Sequence, residues 1–189
     1  MKVYIAADHA GFDLKERLRE YVSDLGFFVT DCGAYAYNPN DDYPDFIRKA
    51  AEAVANNPQK TLGIVIGGSG QGEAMVANRY PHVRAAVYYG GNRKIVDLAS
   101  EHNDANMLSL GARFVDIREA KAVVRAWLLN HHSLAERHKE RIEKIENVSR
   151  EAAYLVLAQE RMDFLRRIWK AIRRAVKRMT DGGLTTRGR

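Results

Sequence analysis

The sequence predicts an α/β fold, a five-stranded parallel sheet with helices on both faces and a C-terminal helical extension. Three observations predict it. Short apolar runs rich in β-branched residues alternate five times with helix-period segments, which is the pattern of a parallel sheet with crossover helices. The first and third runs each stop in a loop dense with chemistry, Asp8-His9-Ala10-Gly11 and Gly67-Gly68-Ser69-Gly70-Gln71-Gly72. Past residue 148 the chain loses this alternation and turns basic.

The elements follow in order. Residues 2–7 alternate and then become apolar, as a first buried strand does. Residues 11–25 are helical, with Phe12, Leu14, Leu18, Tyr21, Val22 and Leu25 near one face, and Gly26 stops them. Residues 27–32 form the second strand, and Asn38-Pro39-Asn40-Asp41-Asp42 is a loop. Residues 45–56 are a helix, 62–66 the third strand and 73–79 a short helix. Strand four covers 85–89, a helix 92–100, strand five 107–110 and a helix 116–129. The result is a Rossmann-like three-layer sandwich with expected strand order 2-1-3-4-5. Ligands of such sheets bind at the carboxyl ends of strands one and three, where the two rich loops meet.

Composition narrows the function classes. The chain has 189 residues, 46% of them hydrophobic, which suits one domain with a real core plus an appendage. No apolar run approaches the roughly 20 residues of a membrane span. The chain enters a strand at once, so no leader peptide is expected. Its only cysteine is Cys32, which excludes an intrachain disulfide and reads as a small core residue. A cytoplasmic protein is expected. The net charge of +6 resides in the tail: residues 161–189 carry ten Lys+Arg against two Asp+Glu, and the remainder is slightly acidic.

The glycine loop carries the strongest local signal. Gly67, Gly68, Gly70 and Gly72 let the backbone turn sharply and bring bare N–H groups to an anion. A helix starting there turns its positive end to the same place. Ser69 adds a hydroxyl and Glu73 a carboxylate base. The loop fits neither the P-loop nor the dinucleotide pattern, so a tight strand-to-helix turn without ligand stays open on this segment alone. Residues 133–147 form a charged helix in which Arg137 and Arg141 share a face. That pair is either solvated and ion-paired or a phosphate clamp.

Taken together, these pieces resemble ribose-5-phosphate isomerase type B, of the family that also holds galactose-6-phosphate isomerase. The matching stretches are Ala7-Asp8-His9-Ala10-Gly11-Phe12, Asp42-Tyr43-Pro44, Gly67 to Glu73, Ala77-Asn78, Glu101-His102-Asn103-Asp104, Gly111-Ala112-Arg113, and Arg137-His138 with Arg141. They fall in family order over residues 1–148. One departure is informative: many members have a catalytic cysteine where this chain has Gly67. The chain is similar to the subgroup that uses a glutamate base, and Glu73 holds that position.

The resemblance implies a metal-independent aldose–ketose isomerase of the pentose phosphate pathway. It would interconvert D-ribose 5-phosphate and D-ribulose 5-phosphate through an enediolate, with no cofactor. Glu73 would move the proton between C2 and C1. The amides of Gly68, Gly70 and Gly72, with Asn103, would form the anion hole, and Ser69 would relay a proton between O1 and O2. His102, assisted by Asp8, would open the sugar ring; taken alone, His102 also reads as a capping or core histidine. Tyr43 would line the pocket, though Tyr43-Pro44 also suits a plain helix start. His9, Arg113, Arg137, His138 and Arg141 are the phosphate candidates, with Arg137 and Arg141 foremost. His82, His131 and His132 read as surface residues. A 6-phosphorylated hexose as substrate, or a non-catalytic sugar-phosphate or nucleic-acid binder, are the alternatives.

Two expectations concern assembly. His102 and Asn103 precede strand five at its amino end, whereas the glycine loop lies at the carboxyl end of strand three. Parallel strands put those ends apart, so a homodimer with shared active sites is expected, with pairing into a tetramer left open. Residues 149–189 are expected to be a second, basic amphipathic helical region. Leu165, Ile168, Trp169, Ile172, Val176 and Met179 make its apolar stripe. It either packs within the oligomer, or binds nucleic acid or an anionic surface through residues 161–179, or, chiefly past 181, is disordered.

Overall fold

The computed structural model of the protein describes residues 1–129 and 134–181, without the side chains of 149, 150, 152, 153 and 175–181. His131, His132, the start of the helix expected at 133, and the side chains of Val176 and Met179 lie outside the described residues. The chain divides into two compact units, Met1–Lys144 and Ile145–Arg189.

In the first unit, strands β1 (Lys2–Ala7), β2 (Phe28–Asp31), β3 (Thr61–Gly67), β4 (Ala85–Tyr88) and β5 (Met107–Gly111) form one parallel sheet. Between and after them come α1 (Phe12–Asp24), α2 (Tyr43–Asn56), α3 (Gln71–Ala77), α4 (Lys94–Asn103) and α5 (Ile117–Leu129); α6 (Glu136–Asp181) follows. Side-chain alternation splits the core into two layers. Val3, Ile5, Ile64, Ile66, Leu108 and Leu110 face Leu18 and Val22 of α1 and Val123, Val124 and Trp127 of α5. Ala6, Val65 and Met107 face Ile47, Ala50, Ala51 and Val54 of α2. That last set recurs at the i, i+3, i+4, i+7 spacing that lays one helix face on a sheet.

The fold class holds, but the strand order needs one correction. The sheet runs β2-β1-β3-β5-β4 rather than 2-1-3-4-5, so β5 lies between β3 and β4. Burial explains the exchange. Every residue of β5 is buried, which demands a neighbour on each side and cover on each face. Three of the four residues of β4 are only half-buried, as suits an edge. Gly63 marks the pairing: a Cβ there would come within 2.5 Å of Met107 Cε and 2.8 Å of its Cγ, so any larger residue would force the Met107 side chain to shift. The switch point between β1 and β3 is unchanged, since β1 leads outward to β2 on one side and β3 to β5 on the other.

Element ends move by a few residues where caps decide them. Gly70, at φ 76°, turns the chain into α3, so the helix begins at Gln71 and Glu73 falls within its first turn. Helix α4 continues to Asn103, where Asp104 stops it in a left-handed conformation at φ 48°. His102 therefore stands in its last turn. Lys15 on α1 is fully buried. Its Nζ donates to Glu16 Oε1 and Asp31 Oδ2, both at 2.5 Å, which keeps the buried charge paired. Among the described residues no helix is long and apolar enough to cross a membrane.

Candidate active site

One group of the expected residues gathers at the carboxyl ends of β1 and β3. Gly11 lets these loops meet, because a Cβ on it would lie 2.6 Å from the Ile66 carbonyl oxygen. Asp8 follows β1 and is buried; its Oδ1 accepts from the N–H groups of Ala10 at 3.0 Å and Gly11 at 3.3 Å. The glycine loop follows β3, and Ser109 of β5 pins it by donating its hydroxyl to the Gly70 carbonyl at 2.6 Å. Ser69 is exposed at the loop tip, with its Oγ accepting the Gln71 N–H at 3.3 Å.

Glu73 is the central feature. Its side chain folds back from the first turn of α3 onto the end of β3 and is 4% exposed. A Cβ on Gly67 would sit 1.7 Å from Glu73 Oε1 and 2.1 Å from its Cδ. The carboxyl thus occupies the space that a side chain at residue 67 would fill. Burial pushes the Glu73 pKa above the ordinary glutamate value, and the nearby charge of Asp8 raises it further; the backbone N–H of Glu73 itself pulls it partly back. A carboxylate so desolvated is a stronger base than one in water.

Tyr43 and Arg113 lie against the glycine loop, at Gly72 and Gly68. A Cβ on Gly72 would touch Tyr43 Cζ and Oη at 2.8 Å, so the phenol lies against the loop. The exposed Arg113 lies against Gly68, whose carbonyl accepts the Arg113 N–H at 3.1 Å. His9 faces the same end. Its Nδ1 is 2.7 Å from Asp41 Oδ1, and the same oxygen accepts the His9 N–H at 2.9 Å. The hydrogen bond with Asp41 is the main cause that raises the His9 pKa, against partial desolvation, with Asp8 and Asp41 charges adding to it. The ring's Nε2–H is then left for an anion.

Asp41 escaped the sequence reading. It lies in a loop of five polar and turn residues, and no local signal distinguishes it from Asp42. Only the fold carries it across 32 positions to His9. Asp8, His9 and Asp41 offer ligand atoms within 4.8 Å of one another. The 2.7 Å hydrogen bond between His9 Nδ1 and Asp41 Oδ1 accounts for the closeness of two of the three.

A second group stands at the opposite end of the sheet. His102 and the exposed Asn103 close α4, ahead of the amino end of β5, and the Asn103 carbonyl accepts from Arg84 Nε at 3.0 Å. His102 stacks on His138, with ring centroids 4.4 Å apart and planes 14° from parallel. Arg137 Nε approaches His138 Nε2 at 3.3 Å. His138 is buried, and its pKa is lowered by desolvation first, then by the charges of His102, Arg137 and Arg141. It is thus a neutral packing partner for His102 rather than a free cation. Gly63 pairs with Met107 and Gly67 with Gly111, so about 13 Å of strand separates the two ends. One protomer does not bring His102 and Glu73 together.

Cys32 takes no part. It is buried in the α2-facing layer, and burial pushes its thiol up to about 11, which keeps it unreactive.

Comparison with known proteins adds to this geometry. The model of the ribose/galactose isomerase family matches residues 3–145. Ribose-5-phosphate isomerase B of Mycobacterium tuberculosis is 42% identical over 143 residues, covering 76% of this chain and 86% of that protein. A putative sugar phosphate isomerase of Rickettsia bellii is 36% identical over 149 residues, covering 77% of this chain and all of the other. Among solved structures, ribose-5-phosphate isomerase B from Mycoplasma genitalium with bound ribulose-5-phosphate superposes with a TM-score of 0.75 at 38% identity, covering 79% of this chain and 97% of that one. The Clostridium thermocellum enzyme gives the same score and identity over 80% and 99%.

Proposed function

The chain belongs to the ribose/galactose isomerase family, and we propose that it interconverts D-ribose 5-phosphate and D-ribulose 5-phosphate. The observation that carries the proposal is the buried Glu73 carboxyl seated over the bare Gly67 at the end of β3. Glu73 takes the proton from C2 and returns it to C1. The negative charge that develops on the carbonyl oxygen is met by the N–H groups of Gly68, Gly70 and Gly72. The exposed hydroxyl of Ser69 moves the second proton between O1 and O2. Tyr43 closes the side of the pocket.

The remaining steps require a second copy, because the other group of residues lies at the far end of the sheet. In a homodimer the partner subunit's His102 opens the furanose ring, helped by Asp8, and the partner's Asn103 completes the anion hole. His138 holds His102 by stacking. The phosphate is held by His9 and Arg113 from one side and by the partner's Arg137 and Arg141 from the other. The isomerase reaction is the work of residues 1–148, in a cytoplasmic pool of phosphorylated pentose. The basic segment 161–179 serves an anionic partner outside that reaction.

The test is conversion of ribose 5-phosphate to ribulose 5-phosphate in the presence of EDTA. Wild type turns over, and Glu73→Gln loses about 10²- to 10⁴-fold in kcat. Undiminished activity in Glu73→Gln removes the base. A folded wild type that turns over only a 6-phosphorylated hexose removes the pentose. Mixing Glu73→Gln with His102→Asn chains restores part of the activity if sites are shared; no restoration in mixed dimers removes the shared site.

A further inference from the structure

The second unit has a surface that the reaction does not use. Between residues 161 and 174 there are six Lys+Arg and one acidic residue, Asp163. Around α6, at about 100° per residue, Phe164, Ile168, Ile172, Leu165, Trp169 and Met162 fill an arc of about 160°. Each is exposed: Trp169 61%, Phe164 57%, Ile172 56%, Met162 51%, Leu165 50% and Ile168 41%. Arg166, Arg167, Lys170, Arg173 and Arg174 fill the opposite arc, and Arg161, one residue before Met162, falls at the N-terminal end of the apolar one. The Arg173 guanidinium lies over the Trp169 ring at 5.2 Å, at the border between the two arcs.

Any occupant must satisfy both arcs. A second copy of α6 does not. With Met162 and Trp169 at a positions and Leu165 and Ile172 at d positions, Arg166 and Arg173 fall at e and Arg161 at g. A parallel pair then sets Arg161 against Arg166, and an antiparallel pair sets e-position arginines against each other. Like charges oppose in both. The apolar arc is also wider than a two-helix seam. A nucleic acid matches the arginines but leaves Trp169, Ile172, Leu165 and Phe164 in water. A bilayer of anionic phospholipid accepts both, with the apolar arc among the acyl chains and the cations among the headgroups. Tryptophan and arginine at the border suit that boundary, because each has an apolar body and a polar tip.

We propose that the 162–174 portion of α6 lies on anionic lipid surfaces, with Met162, Leu165, Ile168, Trp169 and Ile172 inserted and the arginines at the headgroups. This deepens the anionic-partner reading of the tail and does not depend on the isomerase reaction.

The test uses the full chain with vesicles of phosphatidylcholine alone or with one-third phosphatidylserine, read by co-sedimentation and by the emission shift of Trp169. The other tryptophan, Trp127, is buried and gives a constant background. Partitioning is expected on the anionic vesicles, weakening as salt rises. Arg166→Gln with Arg173→Gln weakens it by about 25-fold, about fivefold per charge. Trp169→Ser with Ile172→Ser weakens it at least tenfold and leaves sugar turnover and the far-ultraviolet circular dichroism unchanged. Three outcomes overturn the proposal. The first is no partitioning on anionic vesicles at low salt. The second is a fall in oligomeric order in the Trp169→Ser, Ile172→Ser variant, read by sedimentation velocity, which assigns the face to a second copy. The third is polyuridylate binding tighter than vesicle binding and unaffected by that variant, which assigns it to nucleic acid.

Discussion

A methyl group at Gly67 tests the site where it is narrowest. Its Cβ would lie 1.7 Å from Glu73 Oε1, 2.1 Å from Cδ and 2.7 Å from Oε2, against ordinary contact at 3.4 Å or more. The carboxyl must retreat by more than about 1.5 Å. A misplacement of about 1 Å costs a reaction that depends on alignment about 10²-fold, so Gly67→Ala should lose at least about 100-fold in kcat, or about 2.7 kcal/mol of transition-state stabilisation. The three atoms nearest a Cβ at residue 67 all belong to Glu73 and none to a proposed phosphate-binding side chain, so KM should change little. Gly67 does not use a left-handed backbone, so alanine adds no backbone strain and the melting temperature should stay near that of wild type. The assay is steady-state kinetics on ribose 5-phosphate beside a thermal melt. Adding Glu73→Ala should remove nearly all further effect of the methyl group, because both changes strike one carboxylate. A Gly67→Ala enzyme with kcat within about threefold of wild type would refute the seating of Glu73 on Gly67 as the source of its reactivity.

Two further predictions come from ionisation. Burial raises the Glu73 pKa and the base acts deprotonated, so kcat/KM should fall on the acid side with a midpoint above the usual glutamate value of about 4.3. The same shift means that the folded state binds this proton more tightly than the unfolded state. Stability from this group is therefore lost as pH rises through the folded pKa, and Glu73→Gln should be the more stable protein above it, as urea melts at two pH values would show. At His9 the Asp41 hydrogen bond favours the charged ring, so its cation is present below the raised pKa and lost as pH rises through it. Asp41→Asn should shift that loss to lower pH and raise KM roughly tenfold near neutral pH, with kcat nearly unchanged and little effect at acidic pH. An Asp41→Asn enzyme with an unaltered KM–pH profile would show that His9 needs no such support.

Much of the unit 1–144 was legible because its signals are local. Strand and helix periods follow from side-chain alternation, and the glycine loop announces its own turn. The two ends of the parallel sheet follow from chain order alone, so the separation of His102 from Glu73 was legible too. Strand order was not, since nothing in residues 85–88 or 107–111 states which run stands at the edge. That depends on how many neighbours each strand has once the helices pack. The burial of Lys15 was equally illegible, because its acceptor Asp31 comes from another element.

Sequence by itself determined the elements, the two chemically rich loops, the Gly67 to Glu73 run with its single acidic residue, and the basic tail. Each of these resides in a few consecutive residues or in their period. Tertiary structure decided that β5 lies inside β4, that the Glu73 carboxyl fills the space above Gly67, that Asp41 holds His9, and that His138 is buried against His102. Those facts are distances between residues far apart in the chain, and only close packing of the folded core sets them.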